Sequence, residues 1–402
     1  MIALTTVPRS PVRTAAARTL FVRAVAALPV RVVLPDRELG LGGPHMRILR
    51  PQAFFGRLGA EGLIGFGESY MAGDWQADDL AGLLTVFADR VGTLVPPKLQ
   101  RLRHLALRRQ PEAERGDLEG ARRNVQRHYD LSNDLFALFL DETMTYSAAL
   151  FPEDPAGRPL AADLVAADLV TAQHRKIDRL LDLTGVGPGT HVLEIGTGWG
   201  ELALRAGARG ATVRSVTLSA EQRALAVKRI AGAGLTDQVT VDLCDYREVT
   251  GQYDAIVSVE MIEAVGERYW PRFFAAIDAL LAPGGRVGIQ SITMPHDRLM
   301  ASRNTHTWVQ KYIFPGGLIP SVPALRTSLS TTSLHLAGGY SFGLHYAETL
   351  KLWRERFDAA DLGPLGFDHV FRRMWELYLA YSEAGFRSGY LDVQQFLLTR
   401  RT

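Results

Sequence analysis

The run Val192-Leu193-Glu194-Ile195-Gly196-Thr197-Gly198-Trp199-Gly200 constrains the fold more than any other part of the chain. A short apolar strand runs straight into a turn with glycine at every second position. Glycine adopts backbone angles closed to other residues and lets the main chain approach a ligand closely. A strand that ends this way belongs to a sheet whose carboxyl edge binds something. Further β-branched strands are predicted at 213–218, 239–243, 255–259 and 287–292, with a helix over 220–233. From about residue 125 this alternation predicts a mostly parallel, doubly wound α/β sheet. A helix over 368–386 and a strand over 393–399 close the chain. Residues 295–345 are rich in Pro, Gly, Ser and Thr, which predicts a long irregular lid or pocket wall.

The glycine spacing is G-x-G-x-G. The dinucleotide fingerprint, G-x-G-x-x-G, sets a pyrophosphate on a helix N-terminus. The pattern resembles instead motif I of the class I S-adenosylmethionine-dependent methyltransferases. Taken alone, the turn leaves a purely structural role or a nicotinamide site open. Other strand ends add candidates. The second strand ends in Val216-Thr217-Leu218-Ser219, with Gln222 one helical turn on, and the third in Cys244-Asp245-Tyr246. Ser219 stands where many methyltransferases place a ribose-binding acid. Asp245 is an acceptor for an adenine amino group or a surface turn residue. The fourth ends in Glu260-Met261-Ile262-Glu263, two acids where burial of an unpaired carboxylate is costly.

Length and charge bound the remainder. The 402 residues suggest two domains. With 45 Lys+Arg against 43 Asp+Glu, the net charge of +2 lacks the basic excess of a nucleic-acid binder. One cysteine, Cys244, excludes a disulfide framework and a zinc site of several thiolates, and no metal is expected. The chain is therefore expected to be intracellular. No run approaches 18 apolar residues, so no membrane-spanning helix is expected. The charge is unevenly spread: residues 1–127 carry 19 basic and 12 acidic residues, a net of +7, and the remainder is −5. Arg9, Arg13, Arg18, Arg23 and Arg31 precede the first acid, predicting a basic helix on the first domain. Residues 91–111 carry six basic groups, no acid and interleaved leucines. That segment is either a solvated linker or a patch for anionic phospholipid. The stretch 67–75 is expected to be a turn-rich surface, followed by a helix over 78–87.

Several further segments resemble the cyclopropane-fatty-acyl-phospholipid synthases, a family that includes the mycolic-acid modifying enzymes. They are Asn124-Val125-Gln126-Arg127-His128-Tyr129-Asp130, Met144-Thr145-Tyr146-Ser147-Ala148, Gln310-Lys311-Tyr312-Ile313-Phe314-Pro315-Gly316-Gly317, and the Thr349, Leu350, Trp353 and Arg356 positions. Tyr70-Met71-Ala72-Gly73-Asp74-Trp75 is similar to the extra N-terminal domain of the phospholipid-acting members. The resemblance implies a Rossmann-like, seven-stranded, mostly parallel sheet with an added small N-terminal domain. It assigns 1–115 to a basic, membrane-facing domain and linker, and 116–402 to the catalytic domain.

The implied reaction is alkylation of an unsaturated acyl chain in membrane phospholipid. The alkene attacks the sulfonium methyl of S-adenosyl-L-methionine and leaves a carbocation, from which a base removes a proton. Proton loss with ring closure gives a cyclopropane; proton loss after a hydride shift gives an exocyclic methylene. The family's base is a bicarbonate held at five positions. Glu263, Ile292 through its backbone, and Tyr346 match; Ala148 replaces a cysteine and Gln290 a histidine. The family's Glu-His pair is here Glu263-Ala264. These departures resemble an actinobacterial branch making 10-methylene fatty acids on the route to tuberculostearic acid. In that branch a separate reductase saturates the methylene.

The resemblance also places Tyr146, Ser147, Gly196, Gly198, Thr217, Leu218, Ser219, Gln222 and Asp245 or Tyr246 around the cofactor. His128 and Tyr129 cover the pocket or are structural, Glu260 is structural, and Tyr312, Phe314, Tyr340 and Phe342 face a carbocation or pack the core. A homodimer, an anionic membrane surface and a cytoplasmic, peripheral location complete the expectations. The cyclopropane product and a catalytically silent lipid-surface protein remain alternatives, as does a methyltransferase of small soluble molecules.

Overall fold

The computed structural model describes residues 4, 6–8, 10–90, 132–160 and 168–401. The basic segment 91–111 and the His128-Tyr129 pair lie outside the described residues. The chain forms two compact units. One gathers Met1–Arg109, Thr305–Ile313 and Leu350–Tyr390; the other holds Gln110–Asn304, Phe314–Thr349 and Leu391–Thr402. The units are thus not two consecutive stretches divided near residue 115. Counted over them, the first carries 22 basic and 14 acidic residues, a net of +8, and the second is −6.

In the first unit, helix α1 (Pro11–Ala26) has Pro at its first turn, where the missing N–H costs nothing. Its Phe21 meets Phe54 and Phe55 of α2 (Pro51–Glu61) edge-on, at 5.1 and 5.8 Å between ring centres. Arg13, Arg18 and Arg23 stay exposed. A small sheet runs in the order β2 (Arg37–Leu39), β1 (Arg31–Leu34), β3 (His45–Ile48), β4 (Trp75–Ala77). The stretch 67–75 is not a turn-rich surface. Leu63–Met71 is helix α3, and Gly67 to Met71, Asp74 and Trp75 are buried. Its glycines serve close packing: a Cβ on Gly65 would lie 1.9 Å from the Arg57 carbonyl, and one on Gly67 2.5 Å from the Trp308 ring. Helix α4 (Leu80–Asp89) is capped by Asp79, whose carboxylate accepts from Gly82 N.

Glu68 holds the Thr305–Ile313 segment to this unit. It accepts from Lys311 Nζ at 2.5 Å and Tyr312 Oη at 2.7 Å. Tyr312 is therefore engaged with Glu68 within the first unit. Glu68→Ala leaves both donors without their acceptor. It is expected to lower stability by roughly 1–3 kcal/mol, read as a lower urea midpoint. An unchanged midpoint would show that the contact contributes nothing.

In the second unit seven strands run in the order β10-β11-β9-β8-β5-β6-β7. They are β5 (His191–Ile195), β6 (Thr212–Thr217), β7 (Val239–Leu243), β8 (Tyr253–Val259), β9 (Leu281–Thr293), β10 (Leu334–Ser341) and β11 (Asp392–Arg400). β5 to β9 are parallel, and β11 is antiparallel to both β9 and β10. The seven-stranded, mostly parallel sheet is thus as predicted. Its two faces are covered by separate apolar clusters, one around Phe273, Phe274 and Ile277 and the other around Leu180, Ala203 and Ile230.

The 295–345 region is more regular than its composition implies. It holds the helices His296–Ser302, Trp308–Tyr312 and Val322–Leu329, and then β10. Its Ser, Thr and Pro residues start helices rather than breaking them. Thr307 and Gln310 form a capping box, and Ser321 caps the helix that Pro323 helps to start.

Candidate active site

The chain runs from β5 outward to β6 and β7, then returns to β8 on the other side of β5. Ligands of open α/β sheets bind at such a reversal, outside the carboxyl ends of the strands. Here the glycine turn closes β5. Gly196 N and Thr197 N donate to Val216 O at 2.9 and 3.3 Å, which draws the turn against β6. Gly196 has φ +98°, and a Cβ there would lie 2.4 Å from Met261 Cγ. Gly198, at φ +52°, would point a Cβ at nothing within 4 Å, so the turn borders free space. Trp199 closes one side: its indole donates to Asn133 Oδ1 at 2.7 Å and its ring packs on Phe136.

Of the other candidate cofactor residues, Thr217, Leu218, Ser219, Gln222, Asp245 and Tyr246 lie at or just beyond the ends of β6 and β7, and Tyr146 and Ser147 in the segment before the helix Leu169–Thr184. Ser219 caps the helix Ala220–Gly232 by accepting from Gln222 N at 3.2 Å. Thr217 Oγ1 accepts from Ser219 N and donates to Gln222 Oε1. Leu218 is half-buried between them. These contacts stiffen the edge where an acid would otherwise stand. Asp245 is buried and pairs with Arg247 through both oxygens, at 2.7 and 2.6 Å, so it is no surface turn residue. Tyr246 packs on Phe273 in the core, with its hydroxyl pushed up to about 12 by burial. Tyr146 lies against Phe136 and Phe139. Ser147 Oγ accepts from Lys176 Nζ at 2.7 Å, and Ser147 O accepts from Gln173 Nε2 at 2.9 Å.

The acidic strand end after β8 is the centre of the site. Glu260 has φ +53°, a left-handed conformation that costs a non-glycine residue on the order of 1–2 kcal/mol. Its Oε1 accepts from Ala148 N at 3.0 Å and Gln290 Nε2 at 2.8 Å, and its Oε2 accepts from Tyr346 Oη at 2.7 Å. Burial still raises its carboxyl above the ordinary range, against the pull of these donors. Glu263 Oε1 accepts from Ile292 N at 2.5 Å and Ser291 Oγ at 3.0 Å. Its Oε2 is buried without a partner. Burial, with the Glu260 charge beside it, pushes the Glu263 carboxyl up to about 8. Burial thus disfavours ionisation of both carboxyls, while the convergent donors favour it at Glu260.

Buried polar groups stand behind this centre. Gln290 Oε1 accepts from Gln395 Nε2 at 3.1 Å, which fixes the amide so that its N–H faces Glu260. Lys176 is buried, and desolvation drives its ammonium down to about 8 against the attraction of Glu260 and other acids. Glu194 is buried under the turn, accepts from Ser215 Oγ at 2.5 Å and is pushed up to about 8 by burial. Tyr340 stacks on Phe342 and lies 4.1 Å from Arg179, so its ring already faces a cation of the chain itself.

The family model described as mycolic acid cyclopropane synthetase matches residues 117–396. The chain belongs to that family. It is 56% identical to the tuberculostearic acid methyltransferase of Mycobacterium tuberculosis, over 99% of this chain and 95% of the relative. It is 33% identical to the cyclopropane-fatty-acyl-phospholipid synthase of Escherichia coli K12, over 90% and 89%. A mycolic acid cyclopropane synthase solved with SAH and CTAB superimposes with a TM-score of 0.61 at 30% identity, over 72% of this chain and 98% of the other.

The structure thus brings Ala148, Gln290 and Tyr346 together on one carboxylate, and Ile292 on the other. Sequence reasoning gave Glu260 only a structural role and missed Lys176, Gln173 and Gln395. Two acids three residues apart in an apolar strand end were the available signal for the first. For the other three the signal was absent, because they reach the site from a helix face and a distant strand.

Proposed function

We propose that the protein transfers a methyl group from S-adenosylmethionine to the cis double bond of an oleoyl-type chain in membrane phospholipid, leaving a 10-methylene branch. The carrying observation is a pair of part-buried acids, Glu260 and Glu263, at the strand end beside an open glycine turn. The turn fits the cofactor: Gly198 leaves room for its amino-acid end, and Gln222, Ser219 and Thr217 would line the ribose side. Tyr146 and Ser147 would border it from the segment after Asn133–Ala137, and Asp245 would meet the adenine. Bound there, S-adenosylmethionine supplies an electrophilic methyl.

The chain's own residues hold the negative charge opposite the developing cation and remove the proton. Tyr346, Gln290 and Ala148 N fix the Glu260 carboxylate, and Ile292 N and Ser291 orient Glu263. Glu263, whose carboxyl is pushed up to about 8, keeps an exchangeable proton beside Glu260. The high identity to a tuberculostearic acid methyltransferase favours a methylene product, which a separate flavin- or nicotinamide-dependent reductase would saturate. The Escherichia coli relative supports cyclopropane formation as the second reading. The complete acidic centre speaks against a silent lipid-surface protein.

Among the described residues no helix is long and apolar enough to cross a membrane. The +8 charge of the first unit and the exposed arginines of α1 support peripheral attachment to an anionic cytoplasmic membrane face. A homodimer fits the family. Incubation with methyl-labelled S-adenosylmethionine and dioleoyl phospholipid vesicles tests the reading. Label is expected in the acyl chain; its absence from lipid would overturn the assignment.

A further inference from the structure

We propose that Glu260 is the proton-accepting base and takes the place of a bound bicarbonate, so that the enzyme works without that anion. The inference rests on the methyl transfer proposed above. The groups expected to hold a bicarbonate are present, but they do not fit one. Ala148 N, Gln290 Nε2 and Tyr346 Oη all donate to the Glu260 carboxylate. Ile292 N donates to Glu263. Every donor of the expected cradle is thus occupied by a carboxylate of the chain. Gln290 is also a neutral amide, fixed from behind by Gln395, and Ala148 offers only its backbone. Such a cradle holds a tethered carboxylate without the entropic cost of capturing a free anion.

The backbone supports the same assignment. Position 260 has the left-handed φ of +53° that favours glycine, yet a glutamate occupies it. In that conformation the carboxylate meets Gln290 of β9 together with Ala148 N and Tyr346. Strain of this kind persists where the surrounding contacts over-determine it.

The step balances without a further reactant. After methyl transfer and a hydride shift, the cationic carbon bears the new methyl. A C–H bond of that methyl breaks, and its electron pair becomes the second bond of the methylene. The proton forms an O–H bond on Glu260 Oε2, which accepts one hydrogen bond where Oε1 accepts two. Protonated Glu260 then loses this proton to bulk water, which restores the base.

Two measurements on the full-length protein test this. The first follows line broadening of ¹³C-bicarbonate by NMR and needs no turnover. Wild type is expected to leave the line unchanged, whereas Glu260→Gly, which frees the donors and suits the backbone, should broaden it. Equal broadening by both proteins would overturn the proposal. The second measures methyl incorporation in carbonate-depleted buffer. Wild-type turnover is expected to change less than about twofold on adding bicarbonate, and Glu260→Gln to lose about 100-fold while still binding S-adenosylhomocysteine. A wild-type rate restored only by bicarbonate, or full turnover in Glu260→Gln, would contradict it. Absence of incorporation by wild type under both conditions would count against the methyltransferase reading, and the NMR result would still decide the bicarbonate question.

Discussion

Gly196→Val is expected to abolish binding of S-adenosylhomocysteine, with affinity falling at least about 100-fold in titration calorimetry. A shift of that size corresponds to roughly 3 kcal/mol. Two causes act together. At φ +98° a β-branched residue is strained, and its Cβ would sit 2.4 Å from Met261 Cγ, inside contact distance. Met261 stands between Glu260 and Glu263, so relief of the clash would also disturb the acidic centre. Gly198→Ala separates folding from binding. Its Cβ would meet no protein atom within 4 Å and would instead fill the space beside the turn. It is expected to fold, with stability lower by the roughly 1–2 kcal/mol that a left-handed φ costs alanine, and to bind at least about tenfold more weakly. Wild-type affinity in both variants would remove the turn from the binding site.

Glu263→Gln is expected to reduce turnover about 100-fold, within the range for loss of an acid–base group, while S-adenosylhomocysteine binding stays within about threefold of wild type. The substitution preserves shape and the oxygen facing Ile292 N and Ser291. It removes the one function an amide cannot perform, exchange of a proton on the buried Oε2. A stability signature accompanies it. Folded Glu263 keeps its proton to about pH 8, whereas the unfolded chain releases it near the ordinary carboxylate value. The folded state therefore binds more protons between those values. Its contribution is full below the unfolded pKa and is lost as pH rises through about 8. The thermal midpoint should fall less between pH 5 and pH 8 in Glu263→Gln than in wild type. Equal falls together with unchanged turnover would take Glu263 out of the mechanism.

The second unit was legible because its strands are β-branched runs separated by helix-length spacers, a pattern set by burial on both faces of a parallel sheet. The strands at 192–195, 213–218, 239–243 and 255–259 all stand within a residue or two of their expected ends. Glycine misled the reading elsewhere. At Gly65 and Gly67 it permits a carbonyl or an indole to approach a helix, a contact made by distant chain that local pattern does not contain. Ser321 and Thr307 were read as irregular chain and proved to be helix caps. At the site, the motif positions Thr217, Ser219 and Gln222 share hydrogen bonds. The role of Glu260 was not legible, because it depends on Ala148, Gln290 and Tyr346, which lie 112, 30 and 86 residues away along the chain.

Cyclopropane and methylene products have the same mass, since each adds one CH₂ to the chain, so position-resolved proton NMR of the product lipid decides between them. Fatty acids released from dioleoyl phospholipid after incubation with the enzyme and S-adenosylmethionine are expected to show vinylic methylene protons. Upfield cyclopropane ring protons in their place would contradict the proposed product.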